Sequence, residues 1–225
     1  MLCRLCKQSQ VVTLPGTHLF LDKKYQAQYH HCSACGYLFV SPVTWLNEAY
    51  KQNTDQADHG RYSRNVNFAR HLAATSKPHL RILDFGCGRE QLLKKACGSS
   101  QTVICYDSYV QDLNHPDLLK QHYDIIVAVE VFEHLMDPLA FLDWALQHTD
   151  RLILHTRVLK VDSYPDNPYF ARQWGQHIGF LTPQTQAWIQ KRFPGMEMWT
   201  DNNTLTELKK RQRPKDQPMP KAAKS

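Results

Sequence analysis

Short apolar runs alternate with helix-compatible segments through the middle of this chain. "ILDF" at 82–85, "TVICYD" at 102–107, "YDIIVAVEV" at 123–131 and "RLILHTRV" at 151–158 form the apolar runs. Runs of this length and composition are typical of strands buried on both faces of a parallel sheet. The segments 90–96 and 137–149 between them predict helices. This alternation predicts an α/β fold with a doubly wound sheet.

Two further elements are expected on either side of this region. Residues after Asn65 are helix-compatible and Pro78 closes them, which predicts a lead-in helix behind a linker, over 43–79 in all. Tyr50, Arg61 and Tyr62 in that stretch either pack on the domain or form a lid over a bound cofactor. "GMEMWTDNNTLTELKK" at 195–210 predicts an antiparallel hairpin with an Asp-Asn-Asn turn.

Three of the apolar runs end in an acid, and this is the first sign of a ligand site. Asp84 is followed by the loop Gly86-Cys87-Gly88, and Asp107 and Glu130 end the next two runs. A dinucleotide fingerprint would need a third glycine where this chain has Gln91, so nicotinamide and flavin cofactors are disfavoured. Asp84 suits an ammonium or hydroxyl donor better than a phosphate. Asp107 can accept both hydroxyls of a ribose.

Four cysteines near the amino terminus have the spacing of a metal site. Cys3-x2-Cys6 and Cys32-x2-Cys35 are separated by 25 residues with hairpin character. Four thiolates satisfy the tetrahedral coordination of Zn2+ and leave no position open for chemistry. The pattern therefore predicts a zinc ribbon over residues 1–42. A redox dithiol and unligated thiols are the alternatives.

Composition adds limits on compartment and partners. The net charge of +6 lies entirely in residues 209–225, which hold seven Lys/Arg and one Asp, so residues 1–208 have no charge bias. The proline-containing tail predicts disorder over 212–225. No apolar run approaches the ~20 residues that span a bilayer. We expect a cytoplasmic protein with no membrane partner, whose seven cysteines are thiols or metal ligands.

The motifs "ILDFGCG", "CYDSYV" and "YDIIVAVEVFEHLMDP" resemble those of class I S-adenosylmethionine-dependent methyltransferases. "QHIGFLTPQTQAWIQ" resembles a segment of the small bacterial branch with an amino-terminal zinc ribbon, the type 23 methyltransferases. The resemblance covers roughly residues 1–208. It implies a Rossmann-like, seven-stranded-type sheet over 80–211, with S-adenosylmethionine as cofactor beside the structural Zn2+.

The resemblance also implies roles for particular residues. Asp84 and the backbone of Gly86, Cys87 and Gly88 would hold the methionine end of the cofactor, and Asp107 would hold the ribose. Other positions would line the same crevice or lie beneath the sulfonium: Phe85, Tyr106, Ser108, Glu130 and Val131. Only sixteen residues, 108–123, separate Asp107 from the next strand. We therefore expect the strand and adenine-facing acid of many members to be shortened or missing, and neither Asp112 nor Asp117 is assigned to the adenine.

Histidines near the carboxyl edge of the sheet are the candidates for chemistry. His177, among aromatic residues, and His134, after the third apolar run, are the predicted catalytic or acceptor-contacting residues. Their alternative is a structural role. If 130–134 forms a helical turn, Glu130, Glu133 and His134 share one face. With His155 or His177 they could then bind a divalent ion.

The sequence therefore predicts a methyltransferase acting on oxygen or carbon of a small-molecule or carrier-linked acceptor. Methylation of RNA, docked through the ribbon and the basic tail, is the alternative. A third hypothesis is a non-catalytic scaffold that keeps the fold. The acceptor and the oligomeric state are not specified by these patterns.

Overall fold

The computed structural model describes residues 1–52, 60–170, 172 and 174–211. The predicted tail at 212–225 and residues 53–59 of the predicted linker lie outside the described residues, as does the side chain of Arg61. Within the described ranges, no helix combines the length and apolar character needed to cross a membrane.

The carboxyl-terminal two thirds of the chain form a six-stranded sheet. Its strands are β5 (Arg81–Phe85), β6 (Thr102–Tyr106), β7 (Ile125–Val129), β8 (Arg151–His155), β10 (Met196–Thr200) and β11 (Leu205–Lys210). Their order in the sheet is β10-β11-β8-β7-β5-β6, in which β5, β6, β7 and β8 run parallel and β11 is antiparallel to β8. The predicted parallel sheet with an antiparallel edge hairpin is confirmed.

Successive residues of these strands point into two different cores. Leu83, Ile126 and Leu152 contribute to one buried cluster, whereas Ile82, Ile125 and Ile153 contribute to the other. Because side chains alternate across a strand, a sheet covered on both faces needs nearly continuous apolar sequence. This explains why the strands could be recognised as unbroken apolar runs.

Helices cover both faces of the sheet. The bounds are α1 (Leu46–Gln52), α2 (Arg61–Thr75), α3 (Leu92–Cys97), α4 (Pro138–His148) and α5 (Pro183–Arg192). The lead-in helix α2 begins earlier than predicted, and α1 is an additional helix in the predicted linker. Helix α3 begins at Leu92 rather than at residue 90, because Gln91 has φ +50°, which no right-handed helix contains.

The predicted seven-stranded sheet is one strand short among the described residues. Two short 3-10 helices, Gln111–Leu113 and Pro116–Lys120, occupy the chain between β6 and β7, and β6 is the sheet edge. The sequence indicated this shortening from the sixteen-residue spacing. The side of the crevice beyond β6 is therefore built from turns.

The amino-terminal residues form a second, antiparallel sheet. It contains β1 (Val11–Thr13), β2 (His18–Phe20), β3 (Tyr25–Cys32) and β4 (Leu38–Ser41). A two-residue strand from the other part of the chain, β9 (Gly179–Phe180), pairs with Leu38 and Phe39 of β4. The segment between β8 and α5 is thereby attached to the amino-terminal sheet.

Candidate active site

The glycine loop after β5 folds against the end of β6. Gly86 and Gly88 have φ angles of +76° and +67°, which glycine adopts with little strain. The N–H groups of Gly86 and Cys87 donate to the Tyr106 carbonyl oxygen at 2.8 and 3.2 Å. The loop is therefore fixed at the carboxyl edge of the sheet.

Position 86 has no room for a side chain. A Cβ atom on Gly86 would lie 2.5 Å from Cγ2 of Val131, the second residue after β7. This distance is shorter than any normal carbon–carbon contact. Val131 therefore contacts the glycine loop directly, and the loops after β5 and β7 meet at one point of the sheet edge.

Asp107, the acid after β6, is held by two backbone donors. Gly88 N–H donates to Oδ2 and Tyr109 N–H donates to Oδ1, both at 2.9 Å. A carboxylate has about four acceptor positions, so two remain for further donors. The carboxylate is thus oriented beside the glycine loop with capacity for two hydroxyl groups, as the predicted ribose role requires.

The remaining predicted cofactor residues have different surroundings. Asp84 is buried at the carboxyl end of β5, with 3% of its surface exposed. Phe85 packs on Tyr106 and on aromatic residues of α4, with ring centroids 5.4 Å apart for the first pair. The Cys87 side chain belongs to the core against α2 and α3, so only its backbone belongs to the loop. Ser108 is exposed.

Glu130 forms a pair with His155 instead of joining Glu133 and His134. Its Oε1 lies 3.1 Å from His155 Nδ1, and its N–H donates to the His155 carbonyl oxygen at 2.7 Å. The sequence hypothesis of one helical face through 130–134 is wrong here. Glu130 has φ +55° and the 3-10 helix begins only at Phe132, so the expected spacing of side chains around a helix does not apply.

Glu133, His134 and His177 do come together. One potential ligand atom from each side chain lies within 4.8 Å of the others, and the two imidazole centroids are 5.0 Å apart. The Ile178 N–H donates to the Glu133 carbonyl oxygen at 2.8 Å, which holds the two segments together. Both predicted catalytic histidines therefore lie in one cluster, beside a carboxylate that the sequence had named as a possible metal ligand.

Tyr169 orients two members of this cluster. Burial and the nearby Glu133 carboxylate raise the pKa of Tyr169 well above its ordinary value, so its hydroxyl stays protonated and donates to Glu133 Oε1. The Tyr169 carbonyl oxygen lies 2.6 Å from His177 Nδ1. A carbonyl only accepts, so Nδ1 carries the proton and Nε2 of the neutral ring carries the lone pair.

Tyr50 connects the cluster to the loop after β6. Its hydroxyl lies 2.8 Å from His134 Nδ1, and its ring stacks on Tyr109 with centroids 3.7 Å apart. Tyr109 is the residue whose N–H donates to Asp107. The predicted alternatives for Tyr50 were packing or a lid, and it lies between the two halves of the site. Tyr109 was not predicted; its position two residues after Asp107 was the available signal.

The four amino-terminal cysteines form a compact, buried cluster. Cys3 Sγ lies 3.6 Å from Cys35 Sγ, and Cys6 Sγ lies 3.5 Å from Cys32 Sγ. Four thiolates at about 2.3 Å from Zn2+ would stand roughly 3.8 Å apart, so the spacing fits the ion. The hydrogen bond within the Cys3–Cys35 pair lowers the pKa of Cys3 and raises that of Cys35, so Cys3 is the thiol of this pair that loses its proton first.

The two cysteine loops have equivalent backbone geometry. The residues after each pair, Lys7 and Gly36, have φ angles of +60° and +75° and donate their N–H groups to the carbonyl oxygens of Cys3 and Cys32. A Cβ atom on Gly36 would lie 2.5 Å from Gln184 Cβ in α5. The second cysteine loop therefore packs directly on the helix that follows the His177 segment.

Comparison with known families identifies the part of the chain that carries this site. Residues 54–194, more than half of the chain, match the model of a family described as a methyltransferase domain. The chain belongs to this methyltransferase family. The predicted fold class and the enzyme class, a methyltransferase, are confirmed at the level of the family. The cysteine cluster lies outside the matched residues of the methyltransferase.

Several solved structures are similar to the methyltransferase, although no curated protein matches its sequence significantly. Magnesium protoporphyrin IX methyltransferase from Synechocystis PCC 6803, solved with S-adenosylmethionine, is 14% identical, with 74% of this chain and 94% of that chain covered and a TM-score of 0.49. The plantazolicin methyltransferase BpumL with S-adenosylhomocysteine is 15% identical, with 73% and 88% covered and a TM-score of 0.46. The pyocyanin biosynthetic protein PhzM is 14% identical, with 73% and 61% covered and a TM-score of 0.49.

Proposed function

We propose that this methyltransferase transfers the methyl group of S-adenosylmethionine to an oxygen or carbon atom of a small molecule or carrier-linked metabolite. We place the reaction in the cytoplasm, a reducing compartment that suits seven cysteines without disulfides. The absence of charge bias in residues 1–208 favours such an acceptor over RNA, because RNA binding draws on clustered positive charge.

In this proposal the cofactor lies across the loops after β5, β6 and β7. Asp84 would interact with the ammonium group of the methionine part, and Gly86 and Gly88 would allow the backbone to approach it closely. Asp107 would accept the two ribose hydroxyls with the acceptor positions that Gly88 and Tyr109 leave open. Glu130 and Val131 would lie beneath the sulfonium.

The position of Tyr50 is the observation that carries the acceptor side of the proposal. The Tyr50 ring stacks on Tyr109, two residues after Asp107, and its hydroxyl reaches His134. The loops proposed to bind the cofactor therefore lie within the length of one side chain of the histidine cluster. Transfer between two bound molecules requires this proximity. Aromatic residues around His177, among them Tyr169 and Phe180, suit a flat or partly apolar acceptor.

The chemistry is a single in-line displacement. The acceptor atom forms a bond to the methyl carbon while the carbon–sulfur bond breaks. The electron pair of the broken bond remains on the sulfur of S-adenosylhomocysteine. The protein mainly aligns the two molecules. A hydroxyl acceptor must also lose its proton to solvent, and we propose that the side chains of His177 and His134 at the acceptor promote that loss.

We also propose that Cys3, Cys6, Cys32 and Cys35 bind a structural Zn2+. The support is the sulfur spacing and the matched backbone geometry of the two loops. Four sulfur ligands complete the coordination, so this ion would stabilise the amino-terminal sheet and take no part in methyl transfer.

Transfer of a labelled methyl group tests the acceptor class. The protein is incubated with methyl-tritiated S-adenosylmethionine and with fractions of a cell extract that contain small molecules, carrier proteins or RNA, and an Asp84→Ala variant gives the background. Label in the small-molecule or carrier fraction is the expected result. Label confined to RNA contradicts the proposed acceptor, and no label together with no S-adenosylhomocysteine binding favours the scaffold hypothesis.

A further inference from the structure

We propose that Glu133, His134 and His177 bind a divalent transition-metal ion on the acceptor side of the cleft. The inference rests on the proposed function, since the ion would hold and polarise the acceptor oxygen beside the methyl group. It keeps Glu133, His134 and His177 from the ligands that the sequence suggested and leaves out Glu130, which is paired with His155.

The distances within the cluster suit an ion. The three potential ligand atoms lie within 4.8 Å of one another, whereas ligands bound at about 2.1 Å from one ion stand roughly 3–4 Å apart. Small rotations of the three side chains would bring the ligand atoms from these separations to those expected around one ion. The backbone hydrogen bond from Ile178 to Glu133 fixes the two ligand-bearing segments at this separation.

The charge of Glu133 is the second, independent observation. Glu133 is completely buried, and its Oε2 has no hydrogen-bond donor among the described residues. None of the ion pairs formed in the described ranges includes it. A buried carboxylate without a compensating cation is strongly destabilising, and a metal ion supplies that charge.

Each of the three side chains also has the outer partner that a metal ligand needs. Tyr169 donates to Glu133 Oε1, and its carbonyl oxygen accepts from His177 Nδ1, which leaves the His177 Nε2 lone pair for the ion. The Tyr50 hydroxyl pairs with His134 Nδ1. Such contacts set the orientation and tautomer of ligating side chains.

The donor set indicates both the kind of ion and its role. Two imidazoles and one carboxylate favour transition-metal ions such as Zn2+ or Co2+ over Mg2+, which prefers oxygen ligands. Three protein ligands leave at least one position open, unlike the four-cysteine cluster. An acceptor hydroxyl bound there would lose its proton to solvent more readily, because the ion stabilises the oxygen anion.

Co2+ binding tests the site. Zinc-loaded protein is dialysed against Co2+ and both metals are counted per chain, for the natural protein and for the Glu133→Gln, His177→Ala and Glu130→Gln variants. We expect one Co2+ in addition to the zinc. Loss of a ligand in Glu133→Gln or His177→Ala should weaken Co2+ binding by more than about a hundredfold. Glu130→Gln is the matched control and should bind Co2+ as the natural protein does.

A parallel titration with S-adenosylhomocysteine separates this inference from the proposed function. Natural protein that binds S-adenosylhomocysteine but takes up no additional Co2+ overturns the metal site and leaves the function intact. Equal Co2+ binding by the Glu133→Gln and Glu130→Gln variants also overturns it. Protein that takes up Co2+ at the cluster but no S-adenosylhomocysteine supports the metal site and contradicts the function. The isosteric Glu133→Gln change avoids a cavity, so its thermal unfolding confirms that a folded protein is compared.

Discussion

Single residues at the sheet edge are placed by backbone conformation as much as by side-chain chemistry. Glu130 and Glu133 are three residues apart, yet one pairs with His155 and the other is enclosed with His134 and His177. The φ of +55° at Glu130 separates them, and such a conformation costs energy in a residue other than glycine. The loop after β7 therefore keeps an unfavourable conformation at the point where it contacts the glycine loop.

Gly86→Ala is expected to abolish cofactor binding. The new Cβ would lie 2.5 Å from Val131 Cγ2, so the loops after β5 and β7 would have to separate. The positive φ adds about 1–2 kcal/mol of strain for any residue with a Cβ. Calorimetric titration with S-adenosylhomocysteine measures the loss of binding.

Gly98→Ala is the matched control for this change. Gly98 also has a positive φ, +55°, but a Cβ there would meet no atom within 4 Å. The control should lose about 1–3 kcal/mol of unfolding free energy, because its φ of +55° and ψ of −130° are unfavourable for a residue with a Cβ, and it should keep its affinity for S-adenosylhomocysteine. Normal binding by Gly86→Ala would show that the close contact with Val131 has no part in the cofactor site.

Among the elements, the two-residue strand β9 connects the amino-terminal sheet to the part of the chain that forms the other sheet. It joins β4 of the cysteine-bearing sheet to the segment that carries His177, and a Cβ on Gly179 would lie 1.8 Å from the Tyr37 hydroxyl. The cysteines and Tyr37 belong to the same buried cluster as β7, β8 and α4. The amino-terminal sheet therefore supports the segment that carries His177.

Loss of the proposed zinc should consequently affect the proposed acceptor side and leave the proposed cofactor side unchanged. In Cys32→Ser we expect loss of the ion, a decrease of several kcal/mol in unfolding free energy and slower methyl transfer. Affinity for S-adenosylhomocysteine should change little, because the loops after β5 and β6 do not belong to that sheet. Metal content, thermal unfolding and calorimetry measure the three effects.

Cys97→Ser provides the matched control, since Cys97 is a buried thiol in the core against α2 and α3, remote in sequence from the four-cysteine cluster. It should keep its zinc. Zinc bound equally well by Cys32→Ser would contradict the four-cysteine site. Full transfer activity after loss of zinc would contradict the supporting role of the sheet.

Over the whole molecule, the sequence predicted those features that depend on residues close together in the chain. The buried strands with terminal acids, the edge hairpin and the missing strand after β6 all followed from apolar runs and spacing. The β4–β9 pairing did not, because it joins residues about 140 positions apart and involves only two residues of β9. The direction of Glu130 was also missed, since an α-helical period was assumed where a left-handed residue precedes a short 3-10 helix.

The whole account depends on one cofactor site at the carboxyl edge of the sheet, and calorimetric titration with S-adenosylhomocysteine tests it most directly. The natural protein, Asp107→Asn and Asp117→Asn are compared; Asp117 is an exposed acid paired with Lys120 in the turns after β6. We expect one site per chain in the natural protein and in Asp117→Asn. Asp107→Asn should bind at least about tenfold more weakly, because hydrogen bonds to a charged group contribute ~1.5–3 kcal/mol. No binding to the natural protein, or equal affinity in all three, would contradict the account.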